Sequence, residues 1–203
     1  MRRIELGRIV GVFADVHGAH GTLGRALEHC REAGVGTVAL LGDLFDRLEQ
    51  ADPCAGALAG WPVVGVYGNH EREAALAAAA GRVPLRDETV RLLSALRERV
   101  VVGEVCLLHE VASWERLDPG ARFFGRGAAT SGRRPEGPAR ITFAGHTHYR
   151  HARDERGPLD IARGTLALHP ARRYLINPGA LAAGQFAIWD RAGQVVYFRQ
   201  VER

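Results

Sequence analysis

The chain has 203 residues, of which 46% are hydrophobic, so it can form one substantial core, and we predict a single domain over residues 1–203. Its formal charge of +4 comes from arginine alone, because lysine is absent, and the arginines are scattered outside residues 122–134, so nucleic acid is not a predicted partner. The N-terminus is charged and no apolar run reaches about 18 residues, which excludes a membrane span. Three widely spaced cysteines exclude a disulfide framework. Together these features predict a cytoplasmic protein.

The first half of the chain alternates predicted strands and helices. A strand over residues 9–14 precedes an apolar stripe at helical spacing that ends at Gly34, where glycine can take the left-handed C-cap conformation. A strand over residues 37–41 and a weakly helical segment over residues 48–58, interrupted by Pro53, come next.

A third strand and two helices complete this half. The strand covers residues 63–67, and an alanine-rich helix over residues 71–80 ends at Gly81. A further helix over residues 87–98 places three apolar side chains on one face, namely Val90, Leu93 and Leu96. Repeated strand–helix–strand units predict a largely parallel sheet with right-handed crossovers.

The second half is dominated by short predicted strands. They cover residues 100–102, 105–108, 141–144, 166–168, 174–176, 186–189 and 195–199. Gly103 and the pair Ala192-Gly193 are typical of tight turns, which predicts antiparallel hairpins and two packed mixed sheets with helices outside. Residues 114–140, rich in Gly, Pro, Arg and Ser, are predicted to form either a mobile loop over the site or a connector.

Five of the predicted strands end at a side chain that can bind a metal ion. These side chains belong to the segments Asp15-Val16-His17, Gly42-Asp43, Gly68-Asn69, His109 and Gly145-His146-Thr147-His148. In open α/β sheets, ligands collect in the crevice outside the carboxyl ends of the strands, so we expect the five segments to meet. Carboxylate, carboxamide and imidazole without thiolate suit Mn²⁺, Fe²⁺ or Zn²⁺ in a catalytic site, and the pattern predicts a two-metal hydrolase.

The same segments, in order, resemble the motifs of the calcineurin-like metallophosphoesterase superfamily. These motifs are Asp-x-His at 15–17, Gly-Asp-x-x-Asp at 42–46, Gly-Asn-His-Glu at 68–71, the lone His109 and Gly-His-x-His at 145–148. The resemblance implies an α/β fold, a four-layer αββα sandwich of two mixed β-sheets flanked by helices. It also implies a metal-dependent phosphoric ester hydrolase.

Two branches of the superfamily share features with this chain. Its short length, Gly-His-Thr-His and the run Asn177-Pro178-Gly179 near the end resemble the small bacterial phosphodiesterases. The Arg47 that follows Asp46, together with the Gly-Asn-His-Glu motif, resembles protein phosphatases and diadenosine tetraphosphatases instead. Asn177-Pro178-Gly179 is also typical of a tight turn that supports the site.

The resemblance implies two divalent ions, with Mn²⁺ the first candidate and Fe, Zn or Ni as alternatives. One ion would be bound by four side chains, Asp15, His17, Asp43 and His148, and the other by Asp43, Asn69, His109 and His146. Asp43 would bridge the ions, since two dications about 3.5–4 Å apart repel unless anionic ligands lie between them. A metal-bridging hydroxide would then attack phosphorus in line.

Three further residues take catalytic roles in this interpretation. His70 resembles the family's non-ligand histidine, placed to donate a proton to the leaving oxygen, and Asp46 resembles the carboxylate that orients it. Arg47 could bind a phosphate oxygen through its guanidinium fork. The alternatives are that Asp46 caps the following helix and that Arg47 is a solvated surface charge.

One residue departs from the phosphodiesterase pattern, because Glu110 stands where glycine usually follows the lone histidine. Its side chain either points into solvent, or orients a ligand histidine, or repels an anionic substrate. The histidines outside the motifs, at 20, 29, 151 and 169, are predicted to be surface or supporting residues. Tyr149 and Arg150 are predicted either to line a substrate cleft or to belong to a strand or turn.

The resulting functional prediction is the hydrolysis of phosphodiester or nucleotide-type substrates, with a small phosphoester or nucleotide as partner and no organic cofactor. A phosphomonoesterase acting on a phosphoprotein or a dinucleoside polyphosphate is the alternative within catalysis. A non-catalytic binding scaffold is the alternative outside it, and it predicts eroded ligand positions, whereas all seven positions here keep metal-competent side chains. Substrate identity, native metal and oligomeric state are not predicted from the sequence.

Overall fold

The computed structural model describes residues 5–71, 84–110 and 139–202. In chain order the strands are β1 (Ile9–Phe13), β2 (Thr37–Leu41), β3 (Val63–Val66), β4 (Arg99–Val102), β5 (Val105–Leu108), β6 (Ile141–Ala144), β7 (His151–Asp154), β8 (Gly157–Pro158), β9 (Thr165–Ala167), β10 (Tyr174–Asn177), β11 (Gln185–Asp190) and β12 (Val195–Gln200). The α-helices are α1 (His20–Glu32), α2 (Ala51–Ala57) and α3 (Asp87–Ala95), and two 3-10 turns cover Leu48–Gln50 and Leu181–Ala183.

The strands form two six-stranded mixed sheets. Sheet A has the order β3-β2-β1-β11-β12-β9, and sheet B has the order β4-β5-β6-β10-β7-β8. In sheet A the neighbours β1, β2 and β3 are parallel, as the repeated strand–helix units predict, while β11 joins β1 antiparallel. In sheet B the parallel strands β5, β6 and β10 form the centre. The carboxyl ends of these parallel strands therefore gather at one edge of each sheet.

The core lies in two apolar layers, one on each face of sheet A. Successive side chains of a strand point to opposite faces, so Val12 packs between the sheets while Phe13 packs under the helices. The layer between the sheets joins Val12 to Phe143 and Tyr174 of sheet B. Because β1 and β2 are buried on both faces, they appear in the sequence as continuous apolar runs.

The two predicted hairpin turns are present. Gly103, with a φ of 58°, lies in the turn between β4 and β5, where Val102 pairs with Val105. In the turn between β11 and β12 the left-handed residue is Gln194, with a φ of 53°, and not Gly193. The Asp190 carboxylate accepts hydrogen bonds from the backbone of residues 192 and 193, which fixes that turn.

Helix α1 ends as its sequence predicts. Gly34 has a φ of 70°, its N–H donates to Arg31, and the N–H of Val35 donates to Cys30, which is the Schellman pattern. The segment over 48–58 differs from its prediction, because the helix is not interrupted at Pro53. The 3-10 turn runs into α2, and Pro53 lies in the first helical turn, where its missing N–H would have no helical acceptor.

The predicted face of the helix over 87–98 is confirmed at Leu93 and Leu96, which pack against the core under the helices, and is wrong at Val90. Helix α3 ends at Ala95, and Val90 is 42% exposed, whereas Thr89 is buried. The reason is a contact with α2: Asp52 accepts hydrogen bonds from the Arg86 N–H at 3.1 Å and from the Thr89 hydroxyl at 2.5 Å. This polar anchor turns Thr89 inward and Val90 toward solvent.

Two predictions fall largely outside the described residues, namely the helix over 71–80 and the loop over 114–140. None of the helices in the described ranges is both long enough and apolar enough to cross a membrane. The three described α-helices pack on sheet A. The prediction of an α/β sandwich of two mixed sheets with flanking helices is confirmed.

Candidate metal centre

The predicted ligand segments lie at the carboxyl ends of the parallel strands of both sheets. Asp15 follows β1, Asp43 follows β2, and His109 and His146 follow β5 and β6. The loops after β1 and β2 are joined by backbone hydrogen bonds, from Asp15 to Gly42 at 3.1 Å and from Val16 to Asp43 at 2.8 Å. The loops after β5 and β6 are joined in the same way, by the Gly145 N–H and the His109 carbonyl at 3.0 Å.

The backbone at these ligand positions is unusual. In the described ranges only six residues other than glycine have a positive φ, and five of them are predicted ligands: Asp15, His17, Asp43, His146 and His148. A side chain in this left-handed region is uncommon, although Asp and His tolerate it better than most residues, and it costs about 1–3 kcal/mol. Such strain persists only where the surrounding structure imposes it, and it clusters at functional sites.

Two glycines allow the loops after β2 and β3 to approach each other. A Cβ on Gly68 would lie 2.0 Å from the Asp43 carboxylate, and one on Gly42 would lie 2.6 Å from the His109 imidazole. Any larger residue at position 68 would therefore displace the side chain that is predicted to bridge two metals.

The first cluster contains Asp15, His17 and His148, whose ligand atoms lie within 4.8 Å of one another. The Nε2 atoms of His17 and His148 are 2.9 Å apart, and Asp15 Oδ1 lies 3.9 Å from His148 Nε2. Asp15 is fully buried, and burial raises the pKa of its carboxyl above the ordinary value. Its Oδ1 accepts the His146 N–H at 2.9 Å, whereas its buried Oδ2 has no hydrogen-bond partner among the described residues.

The second cluster contains Asp43, His109 and His146, also within 4.8 Å. His109 Nε2 lies 3.4 Å from Asp43 Oδ2 and 3.2 Å from His146 Nδ1. Burial raises the pKa of Asp43, but the hydrogen bond and charge of His109 outweigh it and hold that pKa below its usual value. Burial likewise lowers the pKa of His109, and its hydrogen bond to Asp43 and that carboxylate's charge reverse the direction.

The imidazole orientations are fixed by groups behind the ligand atoms. His109 Nδ1 donates to the Leu41 carbonyl at 2.8 Å, which leaves Nε2 facing Asp43 and His146. His17 Nδ1 contacts the Asp46 carboxylate, which leaves Nε2 facing His148. Carbonyl and carboxylate partners of this kind are typical of metal-binding histidines, because they select the tautomer and orient the ring.

The Asp46 carboxylate lies near two histidines, His17 and His70, and not only near His70. It contacts His17 directly, and its Oδ1 is 3.9 Å from His70 Nε2. His70 is half-buried, its ring lies edge-on to His17 at 5.7 Å, and its backbone N–H donates to Asp43 at 3.4 Å. If Asp46 capped the following helix, its carboxylate would accept backbone N–H groups of the next turn. In the structure the side-chain acceptor at this turn is Gln50, which accepts the N–H groups of Asp46 and Arg47.

The remaining predicted site residues lie at the rim. Asn69 is exposed and follows Gly68, the glycine that approaches the Asp43 carboxylate. Arg47 is exposed at the start of the turn Leu48–Gln50. Glu110 is exposed as well, which supports the alternative in which its side chain points into solvent.

Glu71 has a structural role that the sequence analysis did not assign. Its buried carboxylate accepts three backbone N–H groups, from Asp43 at 3.0 Å, from Gly68 at 2.7 Å and from Leu44. Burial raises the pKa of Glu71 even though these three donors favour the charged form. The carboxylate thus joins the loops after β2 and β3, and the only sequence signal for this was its place in Gly-Asn-His-Glu.

Asn177 has the corresponding role in sheet B. Its buried side chain donates to the Gly145 carbonyl at 2.9 Å and to the Thr147 hydroxyl at 3.0 Å, and it accepts the Gly179 N–H at 2.8 Å. The prediction that Asn177-Pro178-Gly179 turns the chain and supports the site is confirmed by these contacts.

The donor set fits a pair of divalent cations. Imidazole nitrogens meet in two pairs, His17 with His148 at 2.9 Å and His109 with His146 at 3.2 Å, and the Asp15 Oδ2 atom is buried without a hydrogen-bond partner in residues 5–71, 84–110 and 139–202. A buried carboxylate oxygen without a partner is costly unless a cation neutralises it. His and Asp donors without thiolate are typical of Mn, Fe and Zn catalytic sites.

Residues 9–189 match the calcineurin-like phosphoesterase superfamily domain. The chain belongs to this superfamily. Membership confirms the predicted chemistry of a metal-dependent phosphoesterase, a hydrolase.

Solved structures of this superfamily share the fold. A metallophosphoesterase from Sphaerobacter thermophilus is 23% identical, with a TM-score of 0.70 over 96% of this chain and 88% of that one. An archaeal phosphodiesterase is 15% identical, with a TM-score of 0.56 over 95% of this chain and 99% of that one. A candidate diadenosine tetraphosphatase is 16% identical, with a TM-score of 0.51 over 96% of this chain and 94% of that one. No curated protein matches this chain in sequence.

Proposed function

We propose that this phosphoesterase hydrolyses phosphodiester or nucleotide-type substrates at a binuclear centre of divalent ions, with Mn²⁺ as the first candidate metal. The observation that carries the proposal is the pair of Asp and His clusters at one edge. One lies around Asp15, whose Oδ2 has no hydrogen-bond partner in the described part of the chain, and the other lies around Asp43. Two adjacent cations are the arrangement that supports in-line displacement at phosphorus.

In this proposal, Asp15, His17 and His148 hold one ion, His109, His146 and Asn69 hold the other, and Asp43 is shared. Two bound ions would lower the pKa of a water molecule between them and stabilise charge on the phosphoryl oxygens. Asp46 supports the first site by accepting from His17 Nδ1, and the Leu41 carbonyl supports the second by accepting from His109 Nδ1.

His70 is the proposed general acid. Its side chain is half-buried and lies beside the first cluster. One of its ring nitrogens is within 4.8 Å of ligand atoms of both His17 and Asp43. The Asp46 carboxylate lies 3.9 Å from His70 Nε2, and an imidazole at this place could donate a proton to a leaving oxygen. Arg47 follows Asp46 at the exposed rim, where a guanidinium fork could bind a phosphate oxygen.

The test compares hydrolysis of bis-(p-nitrophenyl) phosphate and p-nitrophenyl phosphate by the purified protein, before chelation, after chelation and after Mn²⁺ is restored. We expect turnover of the diester to exceed that of the monoester, to be lost on chelation, and to return with Mn²⁺. Turnover that survives complete metal removal would contradict the metal-dependent mechanism. No turnover and no metal uptake would favour the scaffold alternative instead.

A phosphomonoesterase acting on a phosphoprotein or a dinucleoside polyphosphate is the second candidate. It is favoured by Arg47, which follows Asp46 at the rim and could bind the additional charge of a terminal phosphate. A preference for p-nitrophenyl phosphate that is lost in Arg47→Ala would select this candidate. An unchanged diester preference in Arg47→Ala would leave Arg47 as a surface charge.

A further inference from the structure

A cleft of about 520 Å³ begins one residue after the proposed ligand His148. Its walls are the segment from Tyr149 to Arg153 and the segment from Pro158 to Ala162. We call this the 149–162 cleft. Its volume lies within the range of about 300–1,000 Å³ that is usual for sites that bind small molecules.

Strand pairing places one end of the cleft at the same edge of sheet B as the metal centre. His151 at the start of β7 pairs with Asn177 at the end of β10. Asn177 in turn holds the Gly145 carbonyl and the Thr147 hydroxyl, between the ligands His146 and His148. One end of the cleft therefore lies at the sheet edge where a molecule bound by its phosphate at the metals would sit.

The cleft residue nearest in sequence to the proposed ligands is an exposed aromatic residue, Tyr149. Tyr149 is 72% exposed, and it is the only aromatic residue among the exposed large hydrophobic side chains of the described ranges. The next residue, Arg150, is fixed because its guanidinium donates to the Pro178 carbonyl at 3.1 Å and to the Arg199 carbonyl. The Tyr149 ring also lies near that of His151, with 6.0 Å between the centroids.

The opposite wall is mainly apolar. Leu159 and Ile161 pack partly against the core between the sheets and also line the cleft, together with Ala162. A flat apolar ring packs against such a wall and stacks on an exposed tyrosine. The lining also contains the polar residues His151, Arg153 and Asp160.

We propose that the 149–162 cleft binds the nucleobase of a nucleotide-type phosphoester, with Tyr149 as its stacking surface. This inference rests on the proposed function and narrows its substrate class to esters that carry a base on one side of the phosphate. Stacking on an aromatic side chain tolerates every base, because each has a π-face, so the cleft would select nucleotides without selecting one sequence.

The test uses two diesters with the same scissile bond, thymidine 5′-(p-nitrophenyl phosphate) and methyl p-nitrophenyl phosphate, in the presence of Mn²⁺. We expect a lower KM for the thymidine ester in the wild-type protein. Tyr149→Ala should raise the KM of the thymidine ester about tenfold, because stacking of one base strengthens binding by about tenfold or more. The KM of the methyl ester should change by less than about twofold. Tyr149→Phe keeps the ring and should behave as the wild type.

A second variant tests the opposite wall. Ile161→Asp places a charge in the cleft and should weaken the thymidine ester alone, whereas Val101→Ala, at an exposed position on the edge strand β4, should change neither ester. Equal KM values for the two esters in the wild type, or equal effects of Tyr149→Ala on both, would overturn the proposal.

A failure of the proposed function is distinguishable from a failure of the cleft. If neither ester is hydrolysed, titration calorimetry of AMP binding in the presence of Mn²⁺ tests whether the cleft binds a nucleobase. Binding that is about tenfold weaker in Tyr149→Ala than in Tyr149→Phe would sustain the cleft without catalysis. Equal or undetectable binding would overturn it.

Discussion

At the scale of single residues, the site is defined by backbone strain and by buried carboxylates. Five proposed ligands have a left-handed backbone conformation, which turns their side chains toward the two clusters. An isolated loop would not adopt this conformation. Two carboxylates serve the loops in opposite ways, because Glu71 has three N–H donors while Asp15 keeps one oxygen without a partner among the described residues. Only the second is arranged for a cation.

His70 provides the sharpest prediction for catalysis. His70 lies within 4.8 Å of ligand atoms of His17 and Asp43 but is not one of the seven proposed ligands. His70→Ala should therefore retain the metals, and it should reduce kcat for diesters with poor leaving groups about 100-fold or more. Turnover of nitrophenyl esters should fall less, since nitrophenolate leaves without a proton. His29→Ala, on the exposed side of α1, is the matched control. Unchanged kcat on the poor leaving groups would remove His70 from the mechanism.

Glu71 provides a prediction for stability. Glu71→Gln replaces one of two acceptor oxygens by an amide donor, so at least one buried N–H group of the loops loses its partner. We expect the free energy of unfolding in urea to fall by about 1–3 kcal/mol, and Mn²⁺ affinity to fall with it because Asp43 is displaced. Glu49→Gln, at an exposed position, controls for the loss of charge. Equal stability of the two variants would show that the carboxylate does not hold the loops.

At the scale of secondary-structure elements, the strands place the ligands and the turns between them set the spacing. The parallel strands were predictable because burial on both faces leaves a continuous apolar run in the sequence. Strands β7 and β8 were not, since His151–Asp154 and Gly157–Pro158 lack both apolar runs and alternation. The placement of Val90 in α3 was mispredicted for a related reason, because Asp52 of α2 accepts a hydrogen bond from Thr89 and periodicity does not include a polar anchor from another helix.

The close approach of two loops predicts the effect of a single methyl group. Gly68→Ala should displace Asp43, because the new Cβ would lie 2.0 Å from its carboxylate, and we expect Mn²⁺ binding to weaken at least tenfold. The same substitution at Gly56 of α2 meets no atom within 4 Å and should slightly stabilise the helix. Calorimetric titration of both variants with Mn²⁺ measures the difference. Equal affinities would mean that Asp43 does not depend on this contact.

An ion pair at the other end of sheet B predicts a pH dependence. Arg140 donates two hydrogen bonds to Glu104, at 2.6 and 2.8 Å, and this lowers the pKa of Glu104 below its ordinary 4.5. A carboxyl group whose pKa is lower in the folded state than in the unfolded state stabilises the protein at pH values above its unfolded-state pKa. This contribution is lost as the pH falls from the unfolded-state pKa through the folded-state pKa. Because Glu104 is half exposed, Glu104→Gln should cost at most about 1 kcal/mol at pH 7.

Urea unfolding at a series of pH values checks this prediction. The stability difference between the wild type and Glu104→Gln should narrow as the pH is lowered from 7 through 4.5 and below. Glu49→Gln, which removes an exposed carboxylate, gives the background trend. A difference that stays constant to low pH would contradict the ion pair as its source.

At the scale of the whole molecule, the sandwich brings the carboxyl edges of two sheets together, so that one sheet supplies the carboxylates and the other the C-terminal histidines. The sequence predicted this meeting of Asp15, Asp43, His109 and His146 because each follows a recognisable strand. It did not predict how Glu71 and Asn177 hold the loops, since their partners are mostly backbone groups that leave no pattern in the sequence. It also placed Asp46 beside His70, whereas the shorter contact is with His17.

The central claim is that this edge binds two divalent ions, and metal content per chain tests it most directly. Elemental analysis of protein reconstituted with Mn²⁺ should give about two ions per chain in the wild type and about one in His148→Ala, which removes a ligand from the first cluster only. His20→Ala, outside both clusters, should keep two. One ion or none in the wild-type protein would contradict the binuclear centre.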